Sequence, residues 1–202
     1  GGTVFTEGQL AEICARAHDA GLPVHLDGAR IFNAATALGT NVARLTRSCD
    51  SVMFCLSKGL AAPVGSMLLG SEKFIEKARS VRKMLGGGMR QAGVLAAAGL
   101  VALEKMPARL EEDHRNARLM AELLREVPGL EVEPEKVRTN ILMVGISPGG
   151  MDSEKLVARL RHKGVLISAL DSARIRLVTH KDVSCDEIRQ AADRFREALQ
   201  GL

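Results

Sequence analysis

Two residues of this chain stand where an apolar strand gives way to a loop and carry side chains able to do chemistry: Asp27, after Val24-His25-Leu26, and Lys58, after Ser51 to Leu56. A carboxylate at a strand end can accept a hydrogen bond from a ring N–H and keep that ring protonated, and it can equally cap a helix or a turn. A lysine amine that is partly desolvated or close to a cation has a lowered pKa and can form a Schiff base, and the residue can equally be an ordinary solvated loop lysine. Gly86-Gly87-Gly88-Met89-Arg90 could bring backbone amides and a guanidinium to a phosphate, or could serve as a turn between helices. It lacks the Gly-Lys-Ser/Thr ending of a P-loop, which argues against a nucleotide site. In Arg174-Ile175-Arg176-Leu177-Val178, strand alternation puts Arg174 and Arg176 on one face, where Arg176 could offer a fork to a carboxylate or both arginines could simply meet solvent.

The histidines add little. His18, His114 and His162 read as surface helix residues, His25 points to the opposite strand face from Leu26, and His180 sits at a strand end. No pair has metal-binding spacing, so no metal is expected, and the absence of Gly-x-Ser-x-Gly argues against a serine hydrolase.

The elements that must position these residues alternate. Thr6-Glu7-Gly8-Gln9 has capping-box form, and Leu10, Ile13, Cys14 and Ala17 follow at helical spacing until Gly21 and Pro23. A strand over 24–27, helical segments near 31–38 and 42–47, strands over 51–56 and 64–69, and a Ser-capped helix over 71–85 come next. The triple glycine breaks that helix, and an Ala- and Gly-rich one follows over 92–103, read as tightly packed core. The two later strands are nearly all apolar, as strands buried on both faces are. This order predicts an α/β layered domain. Around Met106-Pro107 the character changes. A charged helix to Arg125, strands over 141–146, 165–169 and 175–178, and helices over 153–162 and 184–199 predict a small α+β domain, so the expected division is 1–106 and 107–202.

Composition agrees with a globular chain. Of 202 residues 46% are apolar, but there is no Trp or Tyr, so the core must be aliphatic. Charges of both signs are interspersed, as in Glu111-Glu112-Asp113-His114-Arg115, which reads as a solvated helix face and not as a nucleic-acid surface. The longest apolar run falls short of the ~20 residues a membrane span needs. Cys14, Cys49, Cys55 and Cys185 form no Cys-x-x-Cys pair and read as reduced, mostly buried thiols, which fits a cytoplasmic protein, with a mitochondrial one as the alternative.

As a set, His25-Leu26-Asp27-Gly28-Ala29-Arg30 with Phe32-Asn33-Ala34, Leu56-Ser57-Lys58-Gly59-Leu60 through Ala62-Pro63-Val64-Gly65-Ser66, Gly86-Gly87-Gly88-Met89-Arg90-Gln91, and Arg176-Leu177-Val178-Thr179-His180-Lys181-Asp182-Val183 resemble the low-specificity L-threonine aldolases, in the same order and over essentially the whole chain. That resemblance implies an aspartate-aminotransferase-like, fold type I enzyme dependent on pyridoxal 5'-phosphate (PLP). It would cleave β-hydroxy-α-amino acids such as threonine to glycine and an aldehyde. Residues 1–106 would be the C-terminal part of the large PLP-binding domain. By the same resemblance Asp27 would pair with the pyridine nitrogen and Lys58 would hold PLP. Arg30 and Arg176 would hold the substrate carboxylate. Arg90 and Lys83 would reach the site of a neighbouring subunit in a homodimer or homotetramer with shared active sites.

Two departures stand out. Ala61 occupies a place where the family usually has Gly, and Ala resists positive φ. The start at Gly1-Gly2-Thr3 resembles a point midway through the large domain, so this chain taken alone is expected to be a poor enzyme with open sheet edges and uncovered apolar surface. Two rival readings stay open: another fold type I PLP lyase, and a catalytically silent chain that acts only as a subunit partner.

Overall fold

A computed structural model of the chain describes residues 1–149 and 151–200. The chain divides into two compact units, Phe5–Leu110 on the one hand and Gly1–Val4 with Glu111–Leu202 on the other. The sequence puts the division near Met106. The 3-10 turn Pro107–Arg109 and Leu110 stay with the first unit because Met106 and Leu110 pack with Leu56, Leu60, Ala62 and Ala102. Gly1–Val4 goes with the second unit, where Thr139 Oγ1 donates to the Gly2 carbonyl at 2.9 Å.

The first unit begins with α1 (Glu7–Asp19), whose capping box forms as expected: Thr6 Oγ1 accepts from the Gln9 amide, and the Gln9 side chain accepts from the Thr6 amide. Strand β1 (His25–Asp27) leads to α2 (Ile31–Leu38), which ends on Gly39 in the left-handed conformation, and to the short α3 (Val42–Thr46) under an Asn41 cap. Strands β2 (Ser51–Cys55) and β3 (Ser66–Gly70) precede α4 (Glu72–Met84), capped by Ser71, and α5 (Gly93–Lys105). The sheet order is β1-β2-β3: β1 runs parallel to β2 with Asp27 opposite Met53, and β3 runs antiparallel with Ser66 opposite Cys55. Asp50 ties the start of this sheet to α1. It accepts from the Val24 amide at 2.7 Å and meets His18 Nε2 at 2.8 Å, and these contacts hold its carboxyl below the usual carboxylate range.

The second unit holds α6 (Leu110–Arg125, its first residue belonging to the other unit), β4 (Leu130–Glu131), β5 (Ile141–Ile146), α7 (Ser153–His162), β6 (Ser168–Asp171), β7 (Arg174–Val178) and α8 (Cys185–Leu199). Its sheet is antiparallel throughout, in the order β4-β5-β7-β6. The two-residue β4 is too short to announce itself in sequence. The core is aliphatic apart from Phe195: Leu124, Val144, Leu156, Leu160 and Ile175 are among its buried members.

Four expectations need correction. The Ala-rich α5 forms but is not a core helix. It buries Gly99 and Ala102, where Leu56 comes within 3.2 Å of the position a Cβ on Gly99 would take, and leaves Val94, Leu100 and Val101 exposed. Strand β3 is not buried on both faces. Among the described residues it pairs only with β2, and Met67, Leu68 and Leu69 are exposed, so the expected open edge and uncovered apolar surface are present in this unit. The block Glu111–Arg115 is only in part a solvated face: Glu112 and Arg115 are exposed, but Asp113 and His114 are fully buried. The reason lies in the helical period: the buried stripe Ala117, Met120, Ala121 and Leu124, extended back by three and four residues, falls on 113 and 114. Burial, opposed by the carboxylate of Glu111, holds His114 below the ordinary histidine pKa. Finally, only Cys14 of the four cysteines is buried; Cys49 and Cys55 are half-buried and Cys185 is exposed.

The loop 57–65 between β2 and β3 is closed by three backbone hydrogen bonds, Leu56 N to Gly65 O, Ala62 N to Leu56 O and Ala61 N to Lys58 O, all 2.8–2.9 Å. Its turn forces Ala61 to φ +57°, a left-handed conformation that a Cβ disfavours. Gly59 has the opposite requirement: a Cβ there would lie 2.5 Å from Asn33 Oδ1 and 3.1 Å from Leu110 Cδ2. Ala61→Gly is therefore expected to stabilise the protein by about 0.5–1 kcal/mol, the relief of left-handed strain less the added freedom of the unfolded chain. Gly59→Ala is expected to destabilise it by ~1–3 kcal/mol through overpacking. Urea unfolding of both variants beside the parent measures the two shifts, and equal or reversed signs would contradict this account of the loop.

Candidate active site

In open α/β sheets ligands bind beyond the carboxyl ends of parallel strands. In the first unit two strands run parallel, β1 and β2, and the candidate groups lie at or just past their carboxyl ends. Asp27 is the last residue of β1, and Lys58 lies three residues past Cys55, the last of β2. The pairing of the two strands continues beyond their ends. Gly28 N donates to Met53 O at 2.9 Å and Cys55 N to Ala29 O at 3.2 Å. This continuation needs glycine at 28, because a Cβ there would lie 3.0 Å from Met53 O and 3.2 Å from Ile31 Cβ.

The turn also fixes the carboxylate of Asp27. Its Oδ1 accepts from the Ala29 amide at 3.1 Å, and among the described residues Oδ2 has no partner. So Asp27 caps its turn with one oxygen, the ordinary role for such a residue, and keeps the other free. Lys58 is exposed and, among the described residues, its amine makes no hydrogen bond or ion pair. Leu56 and Leu60 on either side are buried, so the backbone is anchored where the side chain is not. Arg30 stands at the N-cap of α2, half-buried, three residues after Asp27. Its position follows from the same Gly28 turn, whose carbonyl accepts from the Ile31 amide at 2.7 Å.

His25 shares the strand face of Asp27 and bonds Ser51 Oγ through Nδ1 at 2.8 Å. A cavity of about 580 Å³ lies between the sheet and α4, lined by His25, Met53, Ser66, Leu68, Arg79 and Arg82; neither Asp27 nor Lys58 lines it.

Lys83 and Arg90 lie in the same unit, at the end of α4 and in the glycine turn after it. Gly87 N donates to Arg82 O at 2.8 Å, and the Lys83 side chain lies over Gly88, its Cδ 2.8 Å from where a Cβ would stand. Both Lys83 and Arg90 are exposed, and neither has a hydrogen bond or ion pair among the described residues.

Arg176 belongs to the second unit. Ile175 and Leu177 of β7 are buried, so Arg174 and Arg176 do project from the opposite face. The two arginines differ in commitment. Arg174 is exposed and held by Asp171, its Nε and Nη2 at 2.7 and 2.6 Å from Oδ2. Arg176 is half-buried, opposite Ser168 on β6 and Met143 on β5, and its buried Nε has no hydrogen-bond partner. It lines a cavity of about 630 Å³ with Ser168, His180, Val183 and Arg194. Sequence alternation puts both arginines on one face; it could not reveal that Asp171, across the β6–β7 turn, would occupy one and leave the other. Asn33, against which Gly59 packs, is likewise a supporting residue that no motif of catalytic type would single out.

The beta-eliminating lyase family model matches residues 1–147. Low-specificity L-threonine aldolase 1 of Arabidopsis thaliana is 46% identical over 196 residues, covering 96% of this chain and 54% of that protein. The low specificity L-threonine aldolase of Escherichia coli K12 is 45% identical over 198 residues, covering 98% and 57%. The chain thus spans about half the length of the curated relatives it matches. A crystal structure of a Listeria monocytogenes protein assigned as an L-allo-threonine aldolase superposes with a TM-score of 0.81 at 18% identity, covering 99% of this chain and 57% of that one, and shares the fold. With its mixed α/β architecture, its family match over 1–147 and these relatives, the chain belongs to the beta-eliminating lyase family.

Proposed function

We propose that this protein works as a PLP-dependent aldehyde-lyase that cleaves L-threonine, L-allo-threonine and related β-hydroxy-α-amino acids to glycine and an aldehyde. The observation that carries the reading is the pair of uncommitted groups beyond two parallel strands: the Lys58 amine and Asp27 Oδ2, set by one backbone register. Relatives named for threonine aldolase activity at 45–46% identity support the substrate class.

The donor set fits the cofactor. Lys58 would hold it through the free amine. Asp27 Oδ2 would accept the pyridine N–H, and the Ala29 amide on Oδ1 keeps the carboxylate aimed. Bound PLP supplies an electron sink for the bond broken at the substrate Cα, and it does so only while its ring nitrogen is protonated. Asp27 therefore has the task of holding a proton on that nitrogen. Arg176, with a desolvated Nε that lacks a partner, would bind the substrate carboxylate as a bidentate fork, with Arg30 as a second cation for it. Arg30 and Arg90 would also contact the cofactor. Arg90 and Lys83, exposed at the glycine turn, would serve the site of a neighbouring subunit in a homodimer or homotetramer. In this reading the Phe5–Leu110 unit is part of the PLP-binding large domain and the unit formed by Glu111–Leu202 is the small C-terminal domain. Free cysteines suit a reducing compartment such as the cytoplasm. Among the described residues no helix is long and apolar enough to cross a membrane.

Four measurements test this. Borohydride reduction after incubation with PLP should fix the cofactor to Lys58, mapped by peptide mass, and Lys58→Ala should abolish the adduct; an adduct on another lysine refutes the assignment. With threonine as substrate the products should be glycine and acetaldehyde, whereas pyruvate and ammonia would indicate a β-eliminating enzyme. In the same assay Asp27→Ala should lower turnover at least ~100-fold, as loss of a charge-stabilising group does, and near-full activity would reduce Asp27 to a turn residue. Arg176→Lys should weaken substrate binding far more than PLP binding, because an ammonium cannot form the fork. An unchanged Michaelis constant, with Arg174→Lys damaging instead, would move the role to Arg174.

A further inference from the structure

We propose that Cys14 and Cys49 are a reversible redox pair that closes to a disulfide when a two-electron oxidant of the peroxide class reaches Cys49. The two sulfurs are 3.9 Å apart, in contact as thiols, although 35 residues separate them in sequence. Closure to a disulfide, with its S–S bond of ~2.05 Å, asks for roughly 2 Å of approach, within reach of side-chain rotation and a small backbone shift.

The backbones that carry them are already held together on both sides. Glu7, Cys14 and His18 lie along one face of α1, at intervals of seven and four residues. Glu7 accepts from Thr40 Oγ1 at 2.5 Å and meets Arg44 at 3.2 Å. His18 meets Asp50, the neighbour of Cys49, at 2.8 Å. The thiol contact thus sits between two polar contacts that join the same helix to the same segment. Neither Cys55 nor Cys185 has a thiol neighbour among the described residues.

Access is unequal. Cys14 is 1% exposed while Cys49 is half-buried, so the oxidant meets Cys49. The Cys49 thiolate attacks one peroxide oxygen and the O–O bond breaks, giving a sulfenic acid and a hydroxide that takes up a proton. The Cys14 sulfur then attacks the sulfenic sulfur, the S–O bond breaks, and a second water leaves. Two thiols and one hydrogen peroxide become one disulfide and two waters, the two electrons coming from the sulfurs. Burial, the hydrogen bond with Cys14 and the Asp50 carboxylate push the Cys49 thiol up to about 11, so its thiolate is scarce near neutrality. Attack by Cys49 is therefore slow, and closure calls for sustained exposure to the oxidant. The bond would bracket residues 15–48, the segment that carries β1, Asp27, Arg30 and α2, and would staple α1 to the turn before β2.

The test treats the full chain with hydrogen peroxide, alkylates remaining thiols and maps peptides without reduction. The expected product is a single cross-linked Cys14–Cys49 peptide that dithiothreitol reopens, with a raised melting temperature for the oxidised protein. Cys14→Ser and Cys49→Ser should each abolish it, and Cys185→Ser should leave it intact. Recovery of Cys14 and Cys49 as alkylated thiols, conversion of Cys49 to a sulfinic acid, or a bond from either residue to Cys55 or Cys185 would overturn the proposal. Because the decisive map is made on the unmutated protein, a variant that fails to fold does not obscure it.

Discussion

The parallel pairing of β1 with β2, carried one step past the strand ends by Gly28 N to Met53 O and Cys55 N to Ala29 O, is the constraint on which the Phe5–Leu110 unit depends. Parallel neighbours bring their carboxyl ends to the same end of a sheet, so two residues remote in sequence, Asp27 and Lys58, are delivered to one end of this sheet. The close approach at Gly28 is what lets the turn stay paired while reversing into α2. The same turn sets the Asp27 carboxylate against the Ala29 amide and starts the helix at Arg30. A larger residue at 28 would meet Met53 O and Ile31 and would loosen all three at once.

The lysine loop illustrates how a reactive side chain is held out while its backbone is held in. Leu56, Leu60 and Ala62 are buried, and three backbone hydrogen bonds close the loop around them. Two positions carry the geometric burden. Gly59 gives up its Cβ so that α2 can approach through Asn33, and Ala61 accepts a left-handed φ that glycine would take without strain. Strain in a loop of this kind is tolerated only where the surrounding packing over-determines the conformation, and here the buried leucines provide that packing.

In the second unit the organising feature is one amphipathic arrangement, with the buried faces of α6, α7 and α8 packed with the buried side chains of the antiparallel sheet. On that sheet the outcome for two chemically identical side chains is decided by one carboxylate. Asp171 sits in the irregular pairing between β6 and β7, where the register shifts between Ala169 and Asp171, and it reaches Arg174. Arg176, two residues on, is left with a desolvated guanidinium nitrogen that has no hydrogen-bond partner among the described residues.

Much of this was legible in the sequence, because local rules govern it. The capping box at Thr6 and Gln9, the Ser71 cap, the breaks at Gly21 and Gly86, and the alternation of Arg174 with Arg176 all rest on interactions within a few residues of one another. The motifs around Asp27 and Lys58 likewise identified the residues that end up beyond the strand ends. What the sequence left undetermined depends on partners far away along the chain. Apolar content alone could not say that β3 and α5 remain open, because burial is set by what packs against an element and not by its composition. The charged block at 111–115 concealed Asp113 and His114, which the helical period carries onto the buried face of α6. The choice between Arg174 and Arg176, the support of Gly59 by Asn33 and the meeting of Cys14 with Cys49 were decided only by the tertiary fold. Each of these contacts joins separate elements, and no spacing within one segment encodes it.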